Sequence, residues 1–370
     1  MKKHFSLFNT LLGAATLCAI NAHAADWVQF RGNTGQTGVA YGKLSASPKS
    51  IWKFKTARPV TGAPAIVKGR VYIGSTDGNV YCLNANNGQK IWSFATKDEV
   101  EAAPLVLNNT VYIGASDRHF YALNAANGKL KWKFKTGDKI LGGANWFKTS
   151  NGALRIVFGS YDNKLYCLDA NSGKAIWSYE TENYINGSPA ISGGKAIFGG
   201  CDGKIHLVSL SNGKKAGEID AGAYIAASAA LSGPEIYVGN YGNEFLKVNI
   251  GTKKKDWEYR ERSFPFFSSA ALSSDRVFVG SRDKRLHCLS RKTGKALWTF
   301  NARGKVDSSP IICDGKLVFG AENGRLYLIS MSNGQQLWSY DAGKAITGSP
   351  AVSDGLVVIG SENGFVYGFR

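Results

Sequence analysis

From Val71 to Phe94 the chain runs apolar block, polar turn, apolar block, glycine-containing turn, and then a short segment carrying a tryptophan: VYIG, STDG, NVYCL, NANNG, QKIWSF. The apolar blocks do not alternate strictly with polar residues, which predicts strands buried on both faces. Asp77-Gly78 and Asn87-Gly88 are turn dipeptides, because both residue types tolerate the backbone a tight reversal needs. The whole pattern recurs. The glycine that closes VYIG returns as Gly114, Gly159, Gly199, Gly239, Gly280, Gly320 and Gly360. The tryptophan appears as Trp52, Trp92, Trp132, Trp177, Trp257, Trp298 and Trp338, with Gly217 where an eighth would stand. The step is about 40 residues, the period of a four-stranded propeller blade. The sequence therefore predicts an all-β chain, an eight-bladed β-propeller of four-stranded blades.

Each predicted inner strand follows a corner such as Ala63-Pro64, Ala103-Pro104, Ser188-Pro189, Ser309-Pro310 or Ser349-Pro350. Proline is tolerated there because a strand start needs no ladder N–H. The last repeat, Ser349 to Arg370, has three strands and no tryptophan segment. Ile51-Trp52-Lys53-Phe54 matches the missing one, so the ring is expected to close by pairing this N-terminal strand with Phe365–Phe369, leaving few open edges. Blade three is longer around Asn145–Gly152, where an extended hairpin is expected. The tryptophans are expected to lie flat between blades, where their large apolar area stabilises the stacking.

The chain is read in three parts. Residues 1–24 form a signal peptide: basic Lys2, Lys3 and His4, an apolar run from Phe5 to Ile20, and the cleavage site Ala22-His23-Ala24. Residues 25–50 are an N-terminal extension rich in Gly, Ser and Thr, and residues 51–370 are the propeller. Cys18 follows Thr16 and Leu17, a poor lipoprotein signal, so a periplasmic or secreted protein without a lipid anchor is expected. No later stretch approaches the ~18 apolar residues of a transmembrane helix. Without Lys2 and Lys3 the chain holds 43 basic and 27 acidic residues, a formal charge of +16. That surplus favours anionic partners, although lysines after the turns (Lys129, Lys174, Lys214, Lys295) are spread round the ring and serve solubility equally well. Nucleic acid is not expected, since no binding motif is present. Of the cysteines, Cys82, Cys167 and Cys288 share one repeat column on separate blades, too far apart for a disulfide. They read as small buried hydrophobes.

The run Leu83-Asn84-Ala85-Asn86-Asn87-Gly88-Gln89-Lys90-Ile91-Trp92 resembles the tryptophan-docking repeat, LxAxxGxxxW, of PQQ-like propellers, and the resemblance covers Ile51 to Arg370. Asp26-Trp27-Val28-Gln29-Phe30-Arg31-Gly32 resembles the N-terminal segment of exported members of that group. The repeat is shared by quinoprotein alcohol and glucose-type dehydrogenases and by BamB, a non-catalytic subunit of the outer-membrane β-barrel assembly machinery. The quinoprotein resemblance implies a vicinal disulfide, a Ca²⁺ site and an Asp base. This chain has no Cys-Cys pair and no C-x-x-C-H haem motif. PQQ with Ca²⁺ is accordingly disfavoured, and no cofactor and no metal site are expected.

Two columns are expected to share one propeller face. The loops leading into the inner strands give Thr61, Glu101, Leu141, Asn186, Ala226, Phe267, Asp307 and Thr347. The turns between second and third strands give Thr76, Ser116, Tyr161, Cys201, Tyr241, Arg282, Glu322 and Glu362. Aromatic residues collect on blades three to six: Tyr161, Tyr184, Tyr224, Tyr241, Phe264, Phe266 and Phe267, with Trp146 as a further member. Glu101, Asp307, Glu322 and Glu362 fall opposite. Such a face binds a peptide strand, sugar rings or a planar cofactor; alternatively Phe264-Pro265-Phe266-Phe267 plugs the channel. His206 and His287 stand in a column held elsewhere by tyrosine (Tyr81, Tyr121, Tyr166) and read as structural. No catalytic constellation is found. The expectation is a monomeric, non-catalytic envelope scaffold that binds envelope proteins or an anionic envelope surface. The alternatives are a PQQ- or metal-dependent oxidoreductase and a carbohydrate-binding propeller.

Overall fold

A computed structural model describes residues 26–370. The expected signal peptide lies outside the described residues. Eight four-stranded antiparallel sheets form the ring, with no helix among the described residues. Blade one comprises Ala65–Val67, Arg70–Gly74, Asn79–Asn84 and Lys90–Ala95, from the channel outward. Blades two to seven follow at 105–135, 145–180, 190–220, 230–259, 271–301 and 311–341. Blade eight combines Ala351–Ser353, Leu356–Gly360 and Phe365–Phe369 with Ser50–Lys55 as its outer strand, in the register Trp52↔Gly368, Lys53↔Tyr367 and Phe54↔Val366. The ring is therefore an eight-bladed β-propeller closed by an N-terminal strand. Blade three's extra residues make the hairpin between Asn145–Lys148 and Leu154–Gly159.

Two contacts repeated round the ring explain the sequence columns. A Cβ on Gly74 would lie 2.5 Å from Val100 of the next blade's lead-in loop, and one on Gly114 would lie 2.2 Å from Ile140. The same fit repeats as Gly159–Ile185, Gly199–Ile225, Gly239–Phe266, Gly280–Val306, Gly320–Ile346 and Gly360–Val60. The tryptophans make the second contact. Trp92 Nε1 donates to Ala125 O at 3.0 Å, and its ring covers Gly128, where a Cβ would lie 2.7 Å away. Trp52 lies likewise over Gly88, Trp132 over Gly173, Trp177 over Gly213, Trp257 over Gly294 and Trp298 over Gly334. The alanine and glycine of the repeat are thus the seat for the preceding blade's indole. At the junction of blades four and five both partners change together. Gly217 replaces the tryptophan, Lys253 replaces the seat glycine at φ +56°, and the lysine's aliphatic end lies 3.0 Å from where a Gly217 Cβ would be.

Residues 27–40 form a strap beneath the inner strands. Trp27 pairs with Ile66 of blade one. Val28 O then accepts from Val106 N, Thr34 O from Ile191 N, Gly35 O from Leu231 N, Thr37 O from Leu272 N and Gly38 O from Ile312 N, all at 2.7–2.9 Å. Blade three is reached through side chains: Asn145 Nδ2 donates to Thr34 O at 2.8 Å, and Gln29 Nε2 to Asn145 Oδ1 at 3.1 Å. The strap thereby satisfies inner-edge groups that would otherwise be buried without partners. Arg31 is buried at 1 % exposure and donates to Pro310 O at 2.6 Å and Ala270 O at 2.7 Å. Burial lowers its pKa to about 9.

Candidate binding site at the channel mouth

At the end away from the strap, the channel opens as a cavity of about 180 Å³. All eight residues of the first sequence column line it, one from each blade, and Phe30 of the strap forms part of its lining. Its wall is fastened by serines. The backbone N–H of Gly143 donates to Ser188 Oγ, Ser188 to Ser228, Ser228 to Ser269, Ser269 to Ser309 and Ser309 to Ser349, at 2.8–3.0 Å. Ala63, Ala103 and Gly143 hold the same column on blades one to three, so no side-chain hydroxyl makes this bond there.

The second column builds a rim around the cavity. Tyr161 stacks on Tyr184 with ring centroids 5.0 Å apart, and its hydroxyl donates to Asn186 Oδ1 at 2.8 Å. Burial, reinforced by Cys201 and Tyr241, pushes its pKa up to about 12. Tyr241 meets Phe267 at 4.5 Å. The Arg282 guanidinium lies 3.7 Å over the Phe267 ring and donates from Nη2 to Asp307 Oδ2 at 2.8 Å and from Nε to Oδ1 at 3.1 Å. Tyr224, Tyr241 and Phe264 are exposed, at 57 %, 48 % and 45 %. These residues form one aromatic arc with a cation held on it.

Two expected aromatic members stand differently. Phe266 is buried against Phe245, Tyr259 and His287, filling the Val/Ile position over Gly239, and does not reach the mouth. It neither joins the arc nor plugs the channel. Trp146 lies in blade three's inner strand, packed against the core between blades two and three. Among the carboxylates, Asp307 is taken by Arg282, Glu322 by Lys305 at 3.1 Å, and Glu362 accepts from Thr347 Oγ1 at 3.1 Å. Glu101 lines the cavity, and burial, followed by the neighbouring Glu99, raises its pKa. Two of the four carboxylates on the acidic side are thus paired with cations. Among the described residues, no three His, Cys, Asp or Glu side chains are grouped to hold a metal ion.

The histidines keep a structural bond. His206 Nε2 lies 2.9 Å from Asp202 Oδ2 and His287 Nε2 3.2 Å from Asp283 Oδ1, as Tyr81 OH lies 2.8 Å from Asp77 Oδ2. Cys82, Cys167, Cys288 and Cys313 are buried free thiols, while Cys201 is half-buried on the rim. Sequence columns missed the strap residues Gln29, Phe30 and Arg31, because they occur once and belong to no repeat. The signal for them was the Asp26–Gly32 segment itself.

A family model described as outer membrane protein assembly factor BamB matches residues 42–183, 152–264 and 261–370. The chain belongs to this BamB family. Comparison with curated proteins gives no match. Among solved structures, BamB from Moraxella catarrhalis superposes with a TM-score of 0.73 at 18 % identity, covering 87 % of this chain and 97 % of that one. Quinohemoprotein alcohol dehydrogenase from Comamonas testosteroni gives 0.80 at 14 %, covering 93 % and 80 %. The computationally designed protein Ika8 gives 0.74 at 17 %, covering 87 % and 99 %. A BamB, an enzyme and a designed protein thus match comparably, so at these identities the likeness speaks for the fold alone. Among the described residues no helix is long and apolar enough to cross a membrane.

Proposed function

We propose that this BamB-family propeller is a non-catalytic scaffold of the cell envelope, and that the aromatic arc at the channel mouth binds an extended segment of a partner protein. The observation that carries the reading is the Tyr241–Phe267–Arg282–Asp307 chain. It presents aromatic faces beside a cation already fixed by its own carboxylate, the composition of interface anchors. Exposed Tyr224 and Phe264 extend it round blades five and six. The envelope location and the protein partner rest on family membership.

The donor set supports this reading over an oxidoreductase. A quinone with Ca²⁺ needs a pocket of small-molecule size, roughly 300–1,000 Å³, and six or more oxygen ligands. The mouth cavity measures about 180 Å³, and Asp307, the carboxylate that would face Glu101, is engaged by Arg282. These residues do not fit that group.

A photo-crosslinking residue in place of Tyr241 tests the proposal. The expected result is one discrete adduct in the native envelope, lost when Phe267→Ala and Arg282→Ala are added and not formed from exposed Ser93 in the middle of blade one's outer strand. Absence of an adduct at Tyr241, together with saturable PQQ and Ca²⁺ binding by calorimetry, would overturn it in favour of the enzyme.

A further inference from the structure

The formal charge of the chain is not spread over the whole surface. Antiparallel pairing within every blade sends the turns joining first to second and third to fourth strands to the strap end of the channel, and the other connections to the mouth. Turns and strand ends at the mouth carry Lys and Arg in near balance with Asp and Glu. Those at the strap end carry about three basic residues for every acidic one, and this surplus accounts for nearly all of the net charge. Lys129, Lys174, Lys214, Lys254, Lys292 and Lys295 are all exposed there, one or more on each of blades two to six. Most of the few acids at that end are already matched: Asp314 by Lys43 and Lys316, Glu235 by Lys247 and Arg291, Asp169 by Arg155, Asp256 by Lys247 and Asp275 by Arg276, while Asp26 and Asp354 stand exposed.

A second feature accompanies the charge. The outer strands begin at the strap end, and near that start they expose one aliphatic side chain each on six blades: Ile51, Ile91, Leu130, Ile176, Leu297 and Leu337. Tyr41, 67 % exposed, stands near Lys43 just past the end of the strap. The channel opening there is crossed by the strap. The result is a broad face of separate lysines rimmed by single aliphatic groups.

We propose that the strap face binds peripherally to an anionic lipid surface. The lysine ammoniums meet headgroup phosphates, and the aliphatic rim and Tyr41 enter the interfacial layer. An acidic protein would be met by a compact, shaped patch with charged partners at fixed geometry. A lipid surface asks only for many mobile cations facing one way, with small apolar groups among them. Bound in this way, the protein lies face down with its mouth directed into the aqueous space.

The test is co-sedimentation of the purified protein with phosphatidylcholine vesicles, with and without phosphatidylglycerol. Binding is expected only with phosphatidylglycerol, weakening as salt screens it. The combined substitution of Lys129, Lys174, Lys214 and Lys254 by Gln should weaken it at least about tenfold. The same change at four exposed mouth cations, Lys97, Lys284, Arg303 and Lys344, should leave it unchanged. Both variants are checked for an unaltered thermal midpoint. Equal binding to neutral vesicles, equal loss from the mouth set, or binding to soluble polyglutamate without binding to vesicles would overturn the proposal. The Tyr241 crosslink is a separate readout: its absence leaves the vesicle result standing.

Discussion

The two ends of the channel are made by the same repeat and are finished in different ways. At the strap end a segment that occurs once pairs with one inner strand after another, and its side chains are fixed by where each carbonyl or amide stands. Arg31 bridges Ala270 O and Pro310 O, and Asn145 bridges the strap to blade four through Thr34 O and Pro189 O. At the mouth, serines and backbone groups already hold the wall together. The rim side chains are therefore free to differ between blades. Folding dictates residues at one end and leaves them open at the other, and an open position is where a binding role can be written.

The largest expected effect contrasts the ends directly. Arg31→Ala strands two buried carbonyls and leaves a void, so a loss of about 3–4 kcal/mol is expected in denaturant titration. Tyr224→Ala and Tyr241→Ala should each cost under about 1 kcal/mol. Comparable losses at both ends would break the contrast. Next is Trp92→Ala, with an expected loss of about 3 kcal/mol. At the odd junction Gly217→Trp should destabilise while Lys253 fills the seat, and adding Lys253→Gly should restore stability. Failure of that rescue would mean that the indole seat is not what sets the junction.

A third effect depends on pH. Burial disfavours the Glu235 carboxylate, but hydrogen bonds from Lys247, Tyr237 and Arg291 outweigh it and hold its pKa near 2, below the ordinary 4.5. Its contribution to stability is full above pH 4.5 and is lost as pH falls toward 2. Glu235→Gln should lower stability at neutral pH and flatten the acid limb between those values, as measured by thermal unfolding across pH. A smaller loss is expected of Ser309→Ala, about 1 kcal/mol by the same assay, since the Ser269 N–H loses its acceptor.

The ring, its closure and the mouth lining were legible because repetition turns a position into a column. Eight loop residues picked by register alone line one cavity. Phe266 shows how the method fails. Read as part of the run Phe264–Phe267 it looked like surface, whereas its register places it with Val100 and Ile140 over a glycine. The rim carboxylates were visible as residue types, but their neutralisation by Arg282 and Lys305 depends on contacts between sequentially distant turns. Charge segregation was hidden for a similar reason: lysines that look evenly spaced along a sequence fall on one face once strand direction is known.

The pairing of Ser50–Lys55 with Phe365–Phe369 also sets a schedule. Blades one to seven can form from neighbouring sequence as the chain emerges. Blade eight must wait for Phe365–Phe369, while the hold of Arg31 on Pro310, 279 positions away, must wait for blade seven. Until then the nascent protein is an open arc with an uncovered apolar blade face at each end, the species most prone to wrong partners. A chain cut short anywhere in the final repeat would remain in that condition. The closing strand therefore acts as a completion check, sealing the ring only once the three strands of the eighth repeat are present.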